Sequence, residues 1–259
     1  MLILLPPSEG KSTPRRGKPL ALGDLSFPGL TAARERALAA LVELCGVDPE
    51  LSARTLGLGT TQIDEVRRNH LLPASPTARA DAIYTGVLYD ALDLASLDSA
   101  ARRRASRSLA ITSSLFGLVR PGDRIPSYRL GGGVNLPGIG VVSAHWRDAL
   151  DPVVREAAGN GLVVDLRSTT YAAFWRPAPD LARKVATVRV LQQVGDERKV
   201  VSHFNKAAKG RLVRALLESG ASPGTPARLA DHITALGWKV ELHEPGRTGQ
   251  QLDVVVEEV

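Results

Sequence analysis

The stretch 118–140, LVRPGDRIPSYRLGGGVNLPGIG, constrains this chain more than any other segment. Pro121, Pro126 and Pro137 interrupt any helix or central strand, and the residues between them follow no hydrophobic period. The fold must therefore be built around a long irregular segment near the middle of the chain. Such a segment inside a compact domain reads as a site loop rather than a hinge. SLAITSS before it has the apolar content of a buried strand, and VSAHWRDALDPVVREAAG after it the spacing of a helix.

The remaining pattern mixes both element types. MLILL reads as a buried strand closed by Pro6 and Pro7, followed by a long polar loop, SEGKSTPRRGKPLALGD. From Thr31 the three- and four-residue spacing predicts a helix stopped at Gly46, and TTQIDEVRRNHLL predicts a second behind the turn LGLG. Ser75 before Pro76 reads as an N-cap opening helical runs through TARADAIYTGVLYDALDLASLD and AARRRASRS. GLVVDLRS is a strand, KVATVRVLQQV and KVVSHF a hairpin, NKAAKGRLVRALLESG and PARLADHITALG helices, and WKVELHE and LDVVVEEV closing strands. No linker or composition shift divides the chain, so the expectation is one α+β domain with a mixed sheet over residues 1–259.

Composition narrows the function classes. The short apolar opening reaches Pro6 too soon for a signal peptide or a membrane span, so a cytoplasmic location is expected. Cys45 is the only cysteine, which excludes an internal disulfide and a four-cysteine zinc site, and its apolar setting predicts a buried structural thiol. The histidines show neither HxH nor HExxH spacing, and no G-x-S-x-G elbow is present, so no metal or other cofactor is expected. A net charge of +6 and a pI near 9.8 suit a nucleic-acid binder or an enzyme acting on anions.

Arginine dominates the cations, so the few lysines carry more information. Lys11 follows the first strand in SEGKST, but Leu5 stands where a P-loop needs glycine, and Pro14 opposes the helix such a loop requires. What remains is Ser8 and Lys11 at the carboxyl end of a strand, a usual place for a ligand loop; a solvated loop lysine explains it equally well. In the central stretch, Arg120, Asp123, Arg124, Tyr128 and Arg129 can project forked donors and a hydroxyl, or Arg120 and Asp123 can fix a turn while Tyr128 packs. VVDLRSTTY places Asp165, Arg167, Ser168 and Tyr171 at another strand end. Lys206, Lys209 and Arg211 lie on a basic helix. Both LPGIG at 136–140 and LGLG at 56–59 resemble the phosphate-facing turn of a helix-hairpin-helix module; the first lacks a preceding helix, the second the leading Pro-Gly.

Taken in order, LLPPSEGK, YTGVLYDAL, SSLFGLVRPGDRIPSYRL, LPGIG with a following WR, VVDLRSTTY and SHFNKAAKGRLVRAL resemble successive motifs of the YaaA family of peroxide-stress proteins. The most specific piece runs from Ser114 to Arg129, and Lys11 matches the lysine of the PPSEGK motif. The resemblance implies a family-specific α+β fold with a basic cleft and DNA binding through a helix-hairpin-helix-like element. It also implies a role in limiting free iron and DNA damage under peroxide.

Two functions follow as expectations. In the first, the protein binds duplex or structured DNA non-specifically, with Ser8, Lys11, Tyr84, Thr85, Arg120, Arg129, Arg167, Ser168, Lys206, Lys209 and Arg211 contacting it. In the second, the same cleft binds or transforms a nucleobase, nucleotide or similar small polar ligand. Asp123 or Asp165 is then the general base, Tyr128 a proton donor, and Lys11 and Arg129 anion anchors.

Overall fold

The computed structural model describes residues 1–194, 197–199 and 202–257. Its frame is a mixed sheet of eight strands: β1 (Leu2–Leu5), β2 (Leu109–Ser113), β3 (Gly117–Val119), β4 (Val163–Asp165), β5 (Val185–Val194), β6 (Glu197–Lys199), β7 (Lys239–Gly246) and β8 (Gly249–Glu257). The order is β7-β8-β5-β4-β1-β2-β3, with β6 beside β5. The five inner strands are parallel, and β3, β6 and β7 run antiparallel to their neighbours.

β1 lies in the interior of the sheet, with Leu4 between Ala110 and Asp165, and all four of its residues are buried. A strand covered on both faces needs an unbroken apolar run, which LILL supplies. From β1 the chain goes to β2 on one side and returns to β4 on the other. The strand order therefore reverses at β1, and the loops leaving β1 and its two neighbours part there, where open parallel sheets hold their ligands.

Eight helices of six or more residues accompany the sheet: α1 (Thr31–Val47), α2 (Pro49–Leu56), α3 (Ile63–His70), α4 (Val87–Leu92), α5 (Ser99–Ser108), α6 (Val142–Ala158), α7 (Ser202–Ser219) and α8 (Pro226–Ala235). The mixed architecture expected from the sequence is present. The parallel pairing of β1 and β2 was hidden because a long, largely helical connection carrying α1 to α5 separates them.

Several local expectations are corrected. The first helix passes through Gly46 to Val47, and Asp48 then caps α2, its carboxylate accepting from the Glu50 and Leu51 amides at 2.8 and 3.2 Å. Ser75 and Pro76 open no helix. Thr77 donates its amide and hydroxyl to the Lys18 carbonyl, and Ala78–Arg79 pairs as a strand with Arg124–Ile125, holding that segment extended. The proposed run through residue 98 is broken again at Gly86, whose φ of +102° is open to glycine. In KVVSHF only Lys199 is strand; Val200 and Val201 lie outside the described residues, and Ser202 begins α7.

Gly210 fixes one helix crossing. A Cβ there would collide with the Leu88 carbonyl oxygen and fall 2.9 Å from the Ala91 side chain, so α7 rests directly on the backbone of α4. Arg34, fully buried in α1, donates to the Phe116, Leu118 and Ser26 carbonyls and ties that helix to β3 and its approach.

Candidate functional site

The loop leaving β1 is pinned by its backbone. The Ser12 amide donates to the Ile83 carbonyl at 2.8 Å, Lys11 bridges Tyr84, and the Thr85 amide donates to the Ser8 hydroxyl at 3.1 Å. The Ser8 hydroxyl in turn donates to the Gly10 carbonyl. Ser8, Lys11, Tyr84 and Thr85, singled out from two distant segments, are therefore brought together. Tyr89 of α4 secures the start of the loop by donating to the Pro6 carbonyl at 2.7 Å.

Lys11 Nζ lies 4.6 Å from the centre of the Tyr128 ring and 5.7 Å from that of Tyr84. It donates to the Ser8 carbonyl at 2.9 Å and, longer, to that of Glu9 at 3.4 Å. Burial, then the nearby Arg129 guanidinium, bring its pKa down to about 8. Beneath it the buried hydroxyls of Tyr84, Tyr128 and Ser113 form a chain with spacings of 3.0 and 2.8 Å, and the Phe116 amide donates to Ser113 Oγ. Burial holds both tyrosines above the usual phenol range, so they keep their protons. Arg129 reaches the Glu9 carbonyl at 3.3 Å and its carboxylate at 3.9 Å, and its backbone is held at both ends by Asn69.

A second group lies at the end of β4. Asp165 receives the Arg167 amide, Nε and Nη2, the side-chain bonds measuring 2.9 and 2.7 Å. Burial pushes its carboxyl up, but the Arg167 charge and hydrogen bonds outweigh this and leave it below its ordinary range. Asp165 is thus a fixed anion, not a base poised to take a proton. Arg167 also donates to the Tyr171 and Trp175 carbonyls and lies over the Trp175 ring, which uses its fork within the fold. Lys209 of α7 donates to the Leu166 carbonyl at 2.8 Å; burial lowers its pKa while Asp165 opposes the change. Tyr171 joins the two groups: its carbonyl serves Arg167, and its raised phenol pKa, set first by burial, also registers Tyr128 and Glu9.

The other predicted residues lie apart. Asp123 accepts from the Ser26 amide and hydroxyl and from the Arg120 amide, closing a turn, and none of its contacts is with Lys11 or the tyrosines. The Arg120 guanidinium donates to the Leu109 carbonyl and lies over Phe27. Both side chains make their contacts within the fold, apart from the Lys11 group. Ser168 is exposed at the N-cap of the turn Thr169–Ala172, with no side-chain cap bond. Lys206 and Arg211 are exposed on α7 and form no ion pair among the described residues.

All four tyrosines of the chain, residues 84, 89, 128 and 171, gather at these strand ends. Tyr89 and Ser113 were not singled out from sequence; the scarcity of tyrosine was the available signal. Tyr84 and Tyr89 also line an open groove of about 1140 Å³ between α4 and α5, which carries Arg79, Arg102 and Arg103 and equally Asp81, Asp90 and Asp93, with Arg79 paired to Asp81.

Of the two hairpins, 57–59 stands between α2 and α3 as a helix-hairpin-helix requires, and 136–140 is a two-stranded turn leading into α6. In the former, the Gly57 and Leu58 amides already serve carbonyls of α2, and the Gly59 amide serves Gln62 Oε1. A phosphate would reach Gly59 by displacing Gln62. Cys45 is buried, and burial pushes its thiol up to about 11, far from a reactive thiolate.

Residues 1–243 match the family model described as peroxide stress protein YaaA. A UPF0246 protein of Streptomyces coelicolor is 56% identical over the full length of both chains. UPF0246 proteins of Corynebacterium efficiens and Corynebacterium glutamicum are 41% and 42% identical, over 94% and 83% of this chain and 96% and 84% of theirs. Among the described residues, no helix is long and apolar enough to cross a membrane.

Proposed function

Because the chain belongs to the YaaA family of peroxide stress proteins, we propose that it serves the peroxide response by binding DNA non-specifically through the phosphate backbone. The observation that carries this reading is the exposed pair Lys206 and Arg211 on α7, cations without an ion pair among the described residues, on the helix whose Lys209 packs against the end of β4; the groove beside Tyr84 adds Arg102 and Arg103, but Asp81, Asp90 and Asp93 balance its charge. Exposed cations suit phosphates, whose contacts carry no sequence information. Contacts of this kind release counterions, so affinity falls with a log-log salt slope of about 0.9 per phosphate neutralised.

The test is duplex binding titrated against salt. The expected result is a steep linear loss of affinity, with the slope shallower by about 1.8 in a Lys206→Ala/Arg211→Ala double variant. Undetectable association at low salt, or a slope near zero, overturns the proposal.

The burial of Tyr84 and Tyr128 beside Lys11 favours a second reading, a nucleotide-sized ligand in the same place. Thermal stabilisation by free nucleotides or nucleobases, in the absence of duplex binding, is the result that selects it.

A further inference from the structure

Lys11 has a feature that phosphate binding does not require. Its amine has no carboxylate within ion-pair distance among the described residues; Arg129 opposes its charge, and the more distant carboxylates of Glu9 and Glu65 only partly offset burial and that guanidinium. The two acceptors it reaches, the Ser8 and Glu9 carbonyls, match the two N–H bonds of a neutral amine. The nitrogen lone pair is then left uncommitted. An ammonium would turn its third N–H toward the Tyr128 ring, 4.6 Å away.

The hydroxyl chain beside it is unbalanced in a useful sense. Ser113, Tyr128 and Tyr84 bring three protons to two hydrogen bonds, and Ser113 Oγ additionally accepts from the Phe116 amide. One hydroxyl proton therefore has no acceptor within the chain. The Tyr128 and Tyr84 rings flank the amine at 4.6 and 5.7 Å, so hydroxyl donors and an amine belong to one cluster, the two kinds of group that an attacked carbonyl needs, one for oxygen and one for carbon.

Building on the DNA reading, we propose that Lys11 is a carbonyl-reactive amine that captures the aldehyde exposed where a DNA sugar has lost its base. The Nζ lone pair forms a bond to the aldehyde carbon as the carbon–oxygen π bond opens. The oxygen then leaves as water with both amine protons, and an imine joins Lys11 to the sugar; no oxidant or reductant is consumed. A pKa of about 8 leaves an appreciable neutral fraction near neutral pH, unlike an ordinary lysine at 10.5. Lys209 is the internal control: it is also half-buried, but Asp165 favours its charged form.

The experiment is borohydride trapping on a duplex carrying one abasic site, beside an intact duplex, with the adduct mapped by peptide mass spectrometry. The expected result is a covalent adduct with the abasic duplex alone, located on Lys11, lost in Lys11→Met and retained in Lys209→Met. Binding of the abasic duplex without an adduct, or an adduct spread over other lysines, overturns the proposal and leaves DNA binding intact. If neither duplex binds, the DNA reading fails, and trapping with glyceraldehyde 3-phosphate tests the amine separately. Selective capture at Lys11 then supports its carbonyl reactivity, and uniform labelling of the lysines overturns it. Mapping on the unaltered protein keeps the result independent of how well Lys11→Met folds.

Discussion

Lys11 and Lys209 are both half-buried lysines at the carboxyl end of the sheet, and each gives a hydrogen bond to a backbone carbonyl. They differ in the next charge along. Burial lowers both; among the described residues Lys209 has only Asp165 beside it, whose carboxylate favours the ammonium, whereas at Lys11 the Arg129 guanidinium opposes it ahead of the weaker pull of Glu9 and Glu65. The comparison teaches that burial alone does not assign a role to a lysine. An anion beside a buried amine makes a structural tie, whereas a cation leaves an amine with unused chemistry.

Asp165→Asn should have the largest effect, because it breaks the buried pair with Arg167 and removes the anion that separates the two lysines. Breaking such a pair costs about 3–5 kcal/mol, read as a large fall in the denaturation midpoint. The surviving folded fraction should acylate faster at Lys209. An unchanged midpoint would show that the pair carries little of the fold.

The pH dependence of stability comes next. Lys11 is depressed to about 8 from an ordinary 10.5, so between those values the unfolded chain holds a proton that the folded chain has lost. Stability should therefore rise as pH climbs through that window, and below about 8 the folded state carries the full cost of the buried charge. The Lys11→Met profile should lack this rise, and subtracting it from that of the unaltered protein should isolate it. Arg129→Met should move its lower limit upward, since the second-largest cause of the depression is gone.

Tyr128→Phe tests the hydroxyl chain that Lys11 overlies and Lys209 does not. It removes two hydrogen bonds at once, against one in Tyr84→Phe, and should cost about 2 kcal/mol against about 1. Equal losses would show that the hydrogen bond between Ser113 and Tyr128 contributes nothing. The smallest effect belongs to Lys206→Ala, exposed on the same helix as Lys209: stability within about 0.5 kcal/mol of the unaltered protein, with only the salt dependence of DNA binding altered.

Much of the sheet was legible because its strands are apolar runs, as LILL and LAITS illustrate. The misreadings fall where a distant segment overrides local preference. Ser75 and Pro76 carry good capping chemistry, yet the partner that holds the next residues extended lies at Arg124–Ile125. The site was legible to the same extent. Lys11, Tyr84, Tyr128 and Arg129 came from motifs and do converge. Asp123 has the same polar character, but its partner Ser26 lies 97 positions away, and no local pattern distinguishes a turn-closing carboxylate from a base. Ser113 was hidden inside an apolar strand.

Gly210 sets a mechanical tolerance for all of this. α7 carries Lys209 and rests on the Leu88 backbone, while α4 also carries Tyr89, which holds the Pro6 carbonyl at the root of the Lys11 loop. The two helices meet backbone to backbone at this point, with no room for even a methyl group. The placements of the two amines are thus not independent: one missing methyl group aligns them both, and exposed cations such as Lys206 can be exchanged freely around a mount that cannot.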